Sequence, residues 1–222
     1  MSQPFFDIAP QYDLLNDLLS LGLHRVWKNR LVKSLLACEP HPEQVVDIAT
    51  GTGDVAALFA QKLEPNRVFA IDPCLPMMLK GQEKYPFLSH WKVGNAEQLP
   101  YPKASISIAT CTFGIRNFQN RSLAFEEMGR VLKPGGLLGI LEIHPIAQHP
   151  RFLPLRWCWD HLVPFLGGLF KKKTAYQYLR DTGAGFISSE DMVKELAPYF
   201  KVKVHKSLLP GGLVSFLILE RK

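Results

Sequence analysis

The chain has 222 residues, a length that fits one domain built around one sizeable core. Hydrophobic residues make up 47% of it, which argues against an intrinsically disordered protein. The four cysteines lie in separate segments without a CxxC pair, and the seven histidines show no metal-ligand spacing. These patterns argue against a disulfide framework and a zinc site, so we expect a reducing compartment and no bound metal.

The net charge of +6 and the sequence pI near 9.1 make the chain moderately basic. Such a charge fits nucleic-acid binding, contact with an anionic membrane surface, or ordinary solubility. No nucleic-acid recognition motif is present, so we expect no nucleic-acid partner. The first residues do not resemble a secretion signal, so we expect a cytoplasmic protein, peripheral to the inner face of the cytoplasmic membrane if it touches one. The oligomeric state is not predicted by the sequence.

Residues 1–40 precede the first predicted strand and form an amphipathic stretch. We expect this stretch to fold as an N-terminal helical lid. Tyr12 and His24 lie in it, but a lone histidine is more often structural than catalytic, so neither is assigned to the chemistry.

The segment Val45–Asp54 combines a buried strand, a glycine turn and a helix start. Its β-branched residues favour a strand. Gly51 and Gly53 lack Cβ atoms, so the backbone can adopt positive φ and approach a ligand closely. A turn of this kind after the first strand of an α/β sheet is typical of a nucleotide-cofactor site.

The turn also fits the dinucleotide pattern G-x-G-x-x-A, but two features argue against a dinucleotide. Asp47 lies within the strand, where its carboxylate would repel a pyrophosphate and attract a cationic or amine-bearing ligand. No Lys or Arg lies near the turn to meet a phosphate. The pattern D-x-A-x-G-T-G-D resembles the glycine-rich motif of S-adenosylmethionine-dependent methyltransferases. The alternative is a purely structural strand–turn–helix unit.

Three further positions follow at the spacing that such a fold requires. A short apolar strand, Arg67–Ile71, ends in Asp72, 19 positions after Gly53, where an acidic residue binds ribose hydroxyls. Asn95 and Ala96 follow a short strand at 89–93 and are expected to contact the adenine edge. Thr112 ends the fourth strand, which begins at Ile106, and would close the cofactor pocket.

The loop Phe113–Asn117 follows the fourth strand at the carboxyl end of the sheet, where ligands bind in these folds. Arg116 supplies a permanent cation with a forked array of donors, and Asn117 supplies a donor and an acceptor. An isolated Arg-Asn pair is usually a solvated turn. Its position beside the methyl donor favours a role in the chemistry.

The second half of the chain completes the predicted fold. A helix at Arg121–Leu132 stops at Lys-Pro-Gly-Gly, and a strand follows at Leu137–Glu142. Val202–His205 and Leu213–Leu219 are predicted as the last, antiparallel pair. The predicted fold class is α/β: a Rossmann-like, seven-stranded, mostly parallel sheet with helices on both faces, in one domain spanning residues 1–222.

Residues 145–186 are predicted to form a cap insertion over the active site rather than a second domain. Their aromatic part, 152–170, is interrupted by charges and prolines, so it lacks the roughly 20 apolar residues that a membrane span needs. Lys171–Lys173 follows it. The aromatic part fits a simple cap helix over the active site. It also fits an apolar lid that receives a lipid tail, with the lysines in contact with anionic lipid headgroups.

Four motifs carry a family resemblance that covers nearly the whole chain. They are Y-D-x-x-N-D-x-x-S-x-G-x-H-R-x-W-K at 12–28, N-A-E-x-L-P at 95–100, F-G-I-R-N at 113–117 and Y-Q-Y-L at 176–179. In these the chain resembles the ubiquinone/menaquinone biosynthesis C-methyltransferases of the UbiE/MenG type. It departs from their pattern at 182–187 and 211–216, and Thr112 stands where serine is usual.

The resemblance implies a class I S-adenosylmethionine-dependent methyltransferase that methylates a ring carbon of a polyprenylated quinol, with demethylmenaquinol the favoured acceptor. The residues that it implies for cofactor binding are Gly51, Thr52, Gly53, Asp72, Asn95, Ala96 and Thr112, to which the position of Asp47 in the first strand adds an eighth. Arg116 and Asn117 match the family's substrate-side loop, and we expect them to be the catalytic residues. Alternatives are a 2-polyprenyl-methoxybenzoquinol, chromanol-type or phylloquinone precursor as the acceptor, and a degenerate S-adenosylmethionine-binding protein without activity. An RNA or protein amine methyltransferase often carries N/D-P-P-Y/F after the fourth strand, which this chain lacks.

The expected chemistry is an in-line displacement that needs the nucleophilic carbon about 3–3.5 Å from the methyl group. A quinol ring carbon is a weak nucleophile until a neighbouring hydroxyl loses its proton, so the site needs a base or a cation that stabilises the phenolate. We expect Arg116 to be that cation, with water carrying the proton, and Asn117 to orient the quinol oxygen. Glu142, at the end of the fifth strand, is expected in a supporting position, and His144 after it is not assigned to the chemistry, because a lone histidine is more often structural.

Overall fold

The computed structural model describes residues 17, 20, 22–146, 149–154, 157, 161 and 185–222. Most of the predicted lid before Leu23 and most of the predicted cap at 145–186 lie outside these residues. Tyr12, the lysines at 171–173 and the Y-Q-Y-L motif lie outside them as well. The lid and the cap therefore stay predictions.

The described residues form five helices and seven strands in an alternating order. They are α1 Leu23–Cys38, β1 Val45–Ile48, α2 Asp54–Ala60, β2 Val68–Asp72, α3 Leu75–Lys84, β3 His90–Val93, β4 Ile106–Thr112, α4 Arg121–Val131, β5 Leu132–Ile143, α5 Ser189–Leu196, β6 Phe200–Ser207 and β7 Val214–Arg221. Single 3-10 turns occur at Pro65–Arg67, Ile115–Asn117, Pro150–Phe152 and Pro210–Gly212.

The strands form one sheet in the order β3-β2-β1-β4-β5-β7-β6. Neighbours from β3 to β5 are parallel, whereas β7 is antiparallel to both β5 and β6. The predicted seven-stranded, mostly parallel sheet is confirmed. Strand order reverses at β1, which has β2 on one side and β4 on the other. Such a switch point opens a crevice at the carboxyl ends of the strands, and ligands bind there.

Helices cover both faces of the sheet because the central strands are apolar on both sides. β1 and most of β4 are fully buried. On one face the core contains Trp27 and Leu31 of α1 and Phe59 of α2. On the other face it contains Phe125 of α4 and Leu196 of α5.

The largest difference from the predicted boundaries lies at the start of β5. The strand begins at Leu132, directly after α4, rather than at Leu137. Ile106 is opposite Leu132 and Ile108 is opposite Leu137, so Lys-Pro-Gly-Gly bulges out between two paired positions. The helix ends at Val131, next to the predicted stop signal, but β5 has already begun at Leu132 before the chain reaches Lys-Pro-Gly-Gly.

Candidate active site

A cavity of about 400 Å³ opens at the carboxyl ends of β1 to β4, at the switch point of the sheet. Its volume is in the range of small-molecule sites. Its lining residues are Ala49, Gly51, Asp72, Pro73, Cys74, Met77, Val93, Gly94, Asn95, Ala96, Glu97, Thr112, Phe113, Gly114, Asn117, Phe118 and Gln119. The structure thus brings together most of the predicted site residues from four separate segments of the chain.

The turn between β1 and α2 has a left-handed backbone at Ala49, Gly51 and Gly53, with φ of 54°, 59° and 83°. The N–H of Thr50 donates to the carbonyl oxygen of Ile71, which ties the turn to β2 at 3.1 Å. A Cβ on Gly53 would lie 2.4 Å from the Trp91 ring, so no larger residue fits there. Ala49 lines the cavity although it is not a glycine, so its left-handed backbone is strained. Strained backbone of this kind concentrates at functional sites.

Asp72 lies at the end of β2 and lines the cavity with only 7% of its surface exposed. Its carboxylate accepts N–H bonds from Gly51 at 2.8 Å and from Cys74 at 2.7 Å. Burial raises the pKa of Asp72, although both N–H donors act to lower it. The carboxylate therefore holds the glycine turn against β2 and faces the cavity from a fixed position.

Asp47 does not line the cavity, although its sequence position had indicated contact with the ligand. It is 1% exposed, and its two oxygens accept bonds from the hydroxyls of Thr50 at 2.6 Å and Thr110 at 2.7 Å. Burial raises the pKa of Asp47 to about 6, against the two hydroxyls, which act to lower it. Asp47 thus fixes Thr50, a residue of the turn, from behind.

Thr52 and Gly53 also lie behind the lining residues, in the turn itself. Thr52 is 2% exposed. Gly53 is the left-handed residue from which α2 begins. Cofactor binding by Asp47, Thr52 and Gly53 stays a prediction, and the contacts of Asp47 and Gly53 shape the turn.

The loop after β4 packs directly on the turn after β1. A Cβ on Gly114 would lie 2.6 Å from the Cβ of Ala49, so only glycine allows this approach. Phe113, just before it, is left-handed with φ of 59°. The close contact brings Asn117 to the cavity wall.

Arg116 lies in the same loop but is not one of the lining residues in the part of the chain that is described. Its side chain is 6% exposed, and its Nη1 donates to the fully buried carboxylate of Glu142 at 2.6 Å. The predicted cation is therefore held one residue away from the cavity wall, in an ion pair.

Sequence reasoning missed Glu97 and, for Glu142, which it expected in a supporting position, missed the partner. Glu97 lines the cavity and accepts from the backbone N–H of Gln119 at 2.9 Å. Glu142 pairs with Arg116, which precedes it by 26 residues. The N-A-E turn was a signal for Glu97, whereas only the β4–β5 pairing brings Glu142 to the loop.

Asp54, the first residue of α2, joins three elements beside the glycine turn. It accepts from Lys28 of α1 at 2.9 Å, from Lys84 of α3 at 2.8 Å and from the hydroxyl of Tyr85 at 3.0 Å. Burial acts to raise the pKa of Asp54, but the two lysines hold it well below its usual range. Helix α1, which is the described helix of the segment predicted as the lid, is thereby anchored to the cofactor turn.

Within the described residues, no group of three or more His, Cys, Asp or Glu side chains is arranged to hold a metal ion. No described helix is both long and apolar enough to cross a membrane.

The profile of the ubiE/COQ5 methyltransferase family matches residues 1–215 of the chain. A ubiquinone/menaquinone biosynthesis C-methyltransferase, UbiE, of Rubrivivax gelatinosus is 46% identical over 176 residues, which are 79% of this chain and 68% of the relative. A demethylmenaquinone methyltransferase of Chlamydia felis is 34% identical over 225 residues, with 100% of this chain and 96% of the relative covered.

Solved structures share the fold at low sequence identity. A SAM-dependent methyltransferase from Thermotoga maritima superposes with a TM-score of 0.66 at 19% identity, covering 99% of this chain and 98% of its own. The [4+2]-cyclase SpnF superposes with a TM-score of 0.64 at 15% identity, covering 87% of this chain and 80% of its own. A methyltransferase and a cyclase therefore share this fold, and function must be argued from the site.

Proposed function

Because the chain belongs to the ubiE/COQ5 methyltransferase family, we propose that it methylates a ring carbon of a polyprenylated quinol with S-adenosylmethionine, and that its acceptor is demethylmenaquinol. Full-length relatives named demethylmenaquinone methyltransferase, from Chlamydia felis and Thermus thermophilus, support this acceptor. The observation that carries the proposal is the cavity at the switch point, with the Asp72 carboxylate held in its wall.

The residues of the cavity fit S-adenosylmethionine. An ionised carboxylate offers about four acceptor positions, and the N–H groups of Gly51 and Cys74 use one each, so Asp72 can still accept from two ribose hydroxyls. Asn95 and Ala96 line the same cavity where the adenine edge is expected, and Met77 adds an apolar surface. When bound, S-adenosylmethionine supplies an electrophilic methyl group on a sulfonium.

The chain's own residues position the acceptor and stabilise its charge. Asn117, in the cavity wall, would orient the quinol oxygen through its amide. The Arg116 guanidinium, next to it in the chain, would stabilise the oxyanion that forms when the quinol hydroxyl loses its proton to water. Arginine stays protonated in proteins, so it serves as a cation and not as the base.

We propose further that the protein is cytoplasmic and touches an anionic membrane with the edge of the sheet that carries the cavity. Six of the exposed large apolar side chains support this contact, because they occur in the first two turns of α1, α3 and α4 and at the end of β3. They are Leu23, Val26, Leu75, Leu79, Val93 and Leu123. All these positions belong to the cavity edge of the sheet, and a polyprenyl tail would reach the site from a lipid phase there.

One assay separates this function from its alternatives. Purified protein with labelled S-adenosylmethionine is offered reduced demethylmenaquinone and a reduced polyprenyl-methoxybenzoquinone in parallel. We expect label in the naphthoquinone, and label only in the benzoquinone would assign the acceptor to the ubiquinone type. Cofactor binding without label in either would leave a degenerate S-adenosylmethionine-binding protein and contradict the proposal.

A further inference from the structure

Glu142 makes three hydrogen bonds at the end of β5, and two of them go to the same residue. Its Oε1 accepts from Nη1 of Arg116 at 2.6 Å and from the N–H of Ile143 at 2.8 Å. Its Oε2 accepts from the backbone N–H of Arg116 at 3.3 Å. One carboxylate therefore holds both the side chain and the main chain of the proposed catalytic arginine.

The carboxylate is itself on a rigid support. β5 pairs with β4 on one side and β7 on the other, and Glu142 lies opposite Ser215 in that register. Glu142 is fully buried, and the Arg116 side chain is 6% exposed. The loop that carries Arg116 and Asn117 is thus fastened to the centre of the sheet.

A buried ion pair of this kind is weak support for stability, because removing two charges from water offsets much of their attraction. Its value lies in geometry: a carboxylate that binds the guanidinium and the N–H of one residue restricts its side-chain rotamer and its backbone together. Asn117 follows directly, so its position in the cavity wall depends on the same contact.

We propose that Glu142 is a positioning residue for the methyl transfer, acting through Arg116 to hold the guanidinium and Asn117 in reactive geometry. This proposal rests on the proposed function of the same site. Glu142 lies behind the loop, so it touches neither cofactor nor acceptor. Its loss should therefore lower turnover without weakening cofactor binding.

Two single substitutions and one double substitution test the proposal. Glu142→Gln removes the charge at nearly constant volume, and Glu142→Asp keeps the charge but shortens its reach. Because misplacement by 1 Å can reduce the rate about 100-fold, we expect kcat to fall by that order in both, with the Kd for S-adenosylmethionine unchanged. In Arg116→Ala/Glu142→Gln we expect a kcat within about twofold of Arg116→Ala alone, since the carboxylate then has nothing left to hold.

Glu195→Gln is the matched control, because Glu195 pairs with Arg121 on the surface of α5 and α4, outside the cavity. Its kcat should stay at the wild-type value. A loss of kcat in the double variant equal to the product of the two single losses would overturn the proposal, as would a wild-type kcat in Glu142→Gln. Binding of S-adenosylmethionine shows which variants are folded. If Glu142→Gln does not fold, Glu142→Asp is compared with the wild type instead.

Amide hydrogen exchange gives a readout that needs no acceptor. We expect faster exchange at the N–H groups of Arg116 and Asn117 in Glu142→Asp, and no change there in Glu195→Gln. If the wild type methylates no quinol, the proposed function fails, and the exchange data still decide whether Glu142 holds the loop. Unchanged exchange at both amides would overturn the positioning role.

Discussion

At the scale of single residues, the cofactor turn is held by two buried carboxylates with different partners. Asp47 binds the hydroxyls of Thr50 and Thr110, whereas Asp72 binds backbone N–H groups and faces the cavity. The two residues therefore differ in what a substitution should change. Loss of Asp47 should disturb the shape of the turn, and loss of Asp72 should also remove contacts to the cofactor.

Asp72→Ala should weaken the binding of S-adenosylmethionine. Ribose hydroxyls bonded to a charged group contribute about 1.5–3 kcal/mol, which corresponds to a rise in Kd of about 10- to 150-fold. Titration calorimetry measures this constant directly. Asp191→Ala is the control, because Asp191 is an exposed carboxylate at the start of α5. A Kd unchanged in Asp72→Ala would contradict the ribose assignment.

The predicted site residues that do line the cavity all end a predicted strand or follow one in the next turn or loop. Asp72 and Asn95 each come at the carboxyl end of a predicted strand, so the parallel topology alone places them at the cavity. The partner of Arg116 could not be found in this way. Glu142 also ends a strand, but which side chain its carboxylate binds depends on the packing of a loop, and no local pattern encodes that contact.

At the scale of elements, α1 is held by the residues of the N-terminal motif. Arg25 donates two bonds of 2.6 Å to Asp17, and Nδ1 of His24 lies 2.7 Å from the hydroxyl of Ser20. One turn later Lys28 reaches Asp54 at the start of α2. The part of this motif that the structure describes therefore anchors a helix to the cofactor turn.

His24 should make the stability of the fold depend on pH. Burial and the charge of Lys28 lower its pKa to about 4, although Asp17 and Asp54 oppose the shift. The folded state then binds fewer protons than the unfolded state, whose histidine pKa is about 6.5, so this contribution is lost as the pH falls from about 6.5 towards 4. The upper limit is about 3 kcal/mol at 1.36 kcal/mol per pH unit.

The free energy of unfolding in urea between pH 7 and pH 4 tests this effect. We expect His24→Gln to lose less stability over this range than the wild type, because glutamine cannot take up the proton. Asp47, whose raised pKa of about 6 gives the opposite slope, is present in both proteins and cancels in the comparison. Parallel curves for the two proteins would contradict the assignment to His24.

At the scale of the whole molecule, the sequence predicted how many strands the sheet has but not their order. Alternating short strands and helices indicate a parallel α/β sheet. The pairing of β5 with β7 joins residues that are 71 (Ile143 and Val214) to 83 (Leu137 and Glu220) positions apart in the chain, and only the tertiary fold determines it. The edge strand β6 carries exposed lysines at Lys201, Lys203 and Lys206, which disfavour pairing with another sheet edge.

The proposed membrane contact can be tested by removing the charge of the run Lys171–Lys173. The three lysines on β6 provide the control, because they carry the same charge on another part of the chain. Each lysine near an anionic surface contributes about 1 kcal/mol, so changing 171–173 to Gln should weaken binding to phosphatidylserine-containing vesicles about 150-fold at low salt. Changing the three β6 lysines alters the net charge equally, and β6 is separated by β5 and β7 from the strands that line the cavity. We expect that variant to bind like the wild type in co-sedimentation. Equal losses in both variants would show that net charge acts without a defined surface, and no loss in either would exclude electrostatic docking.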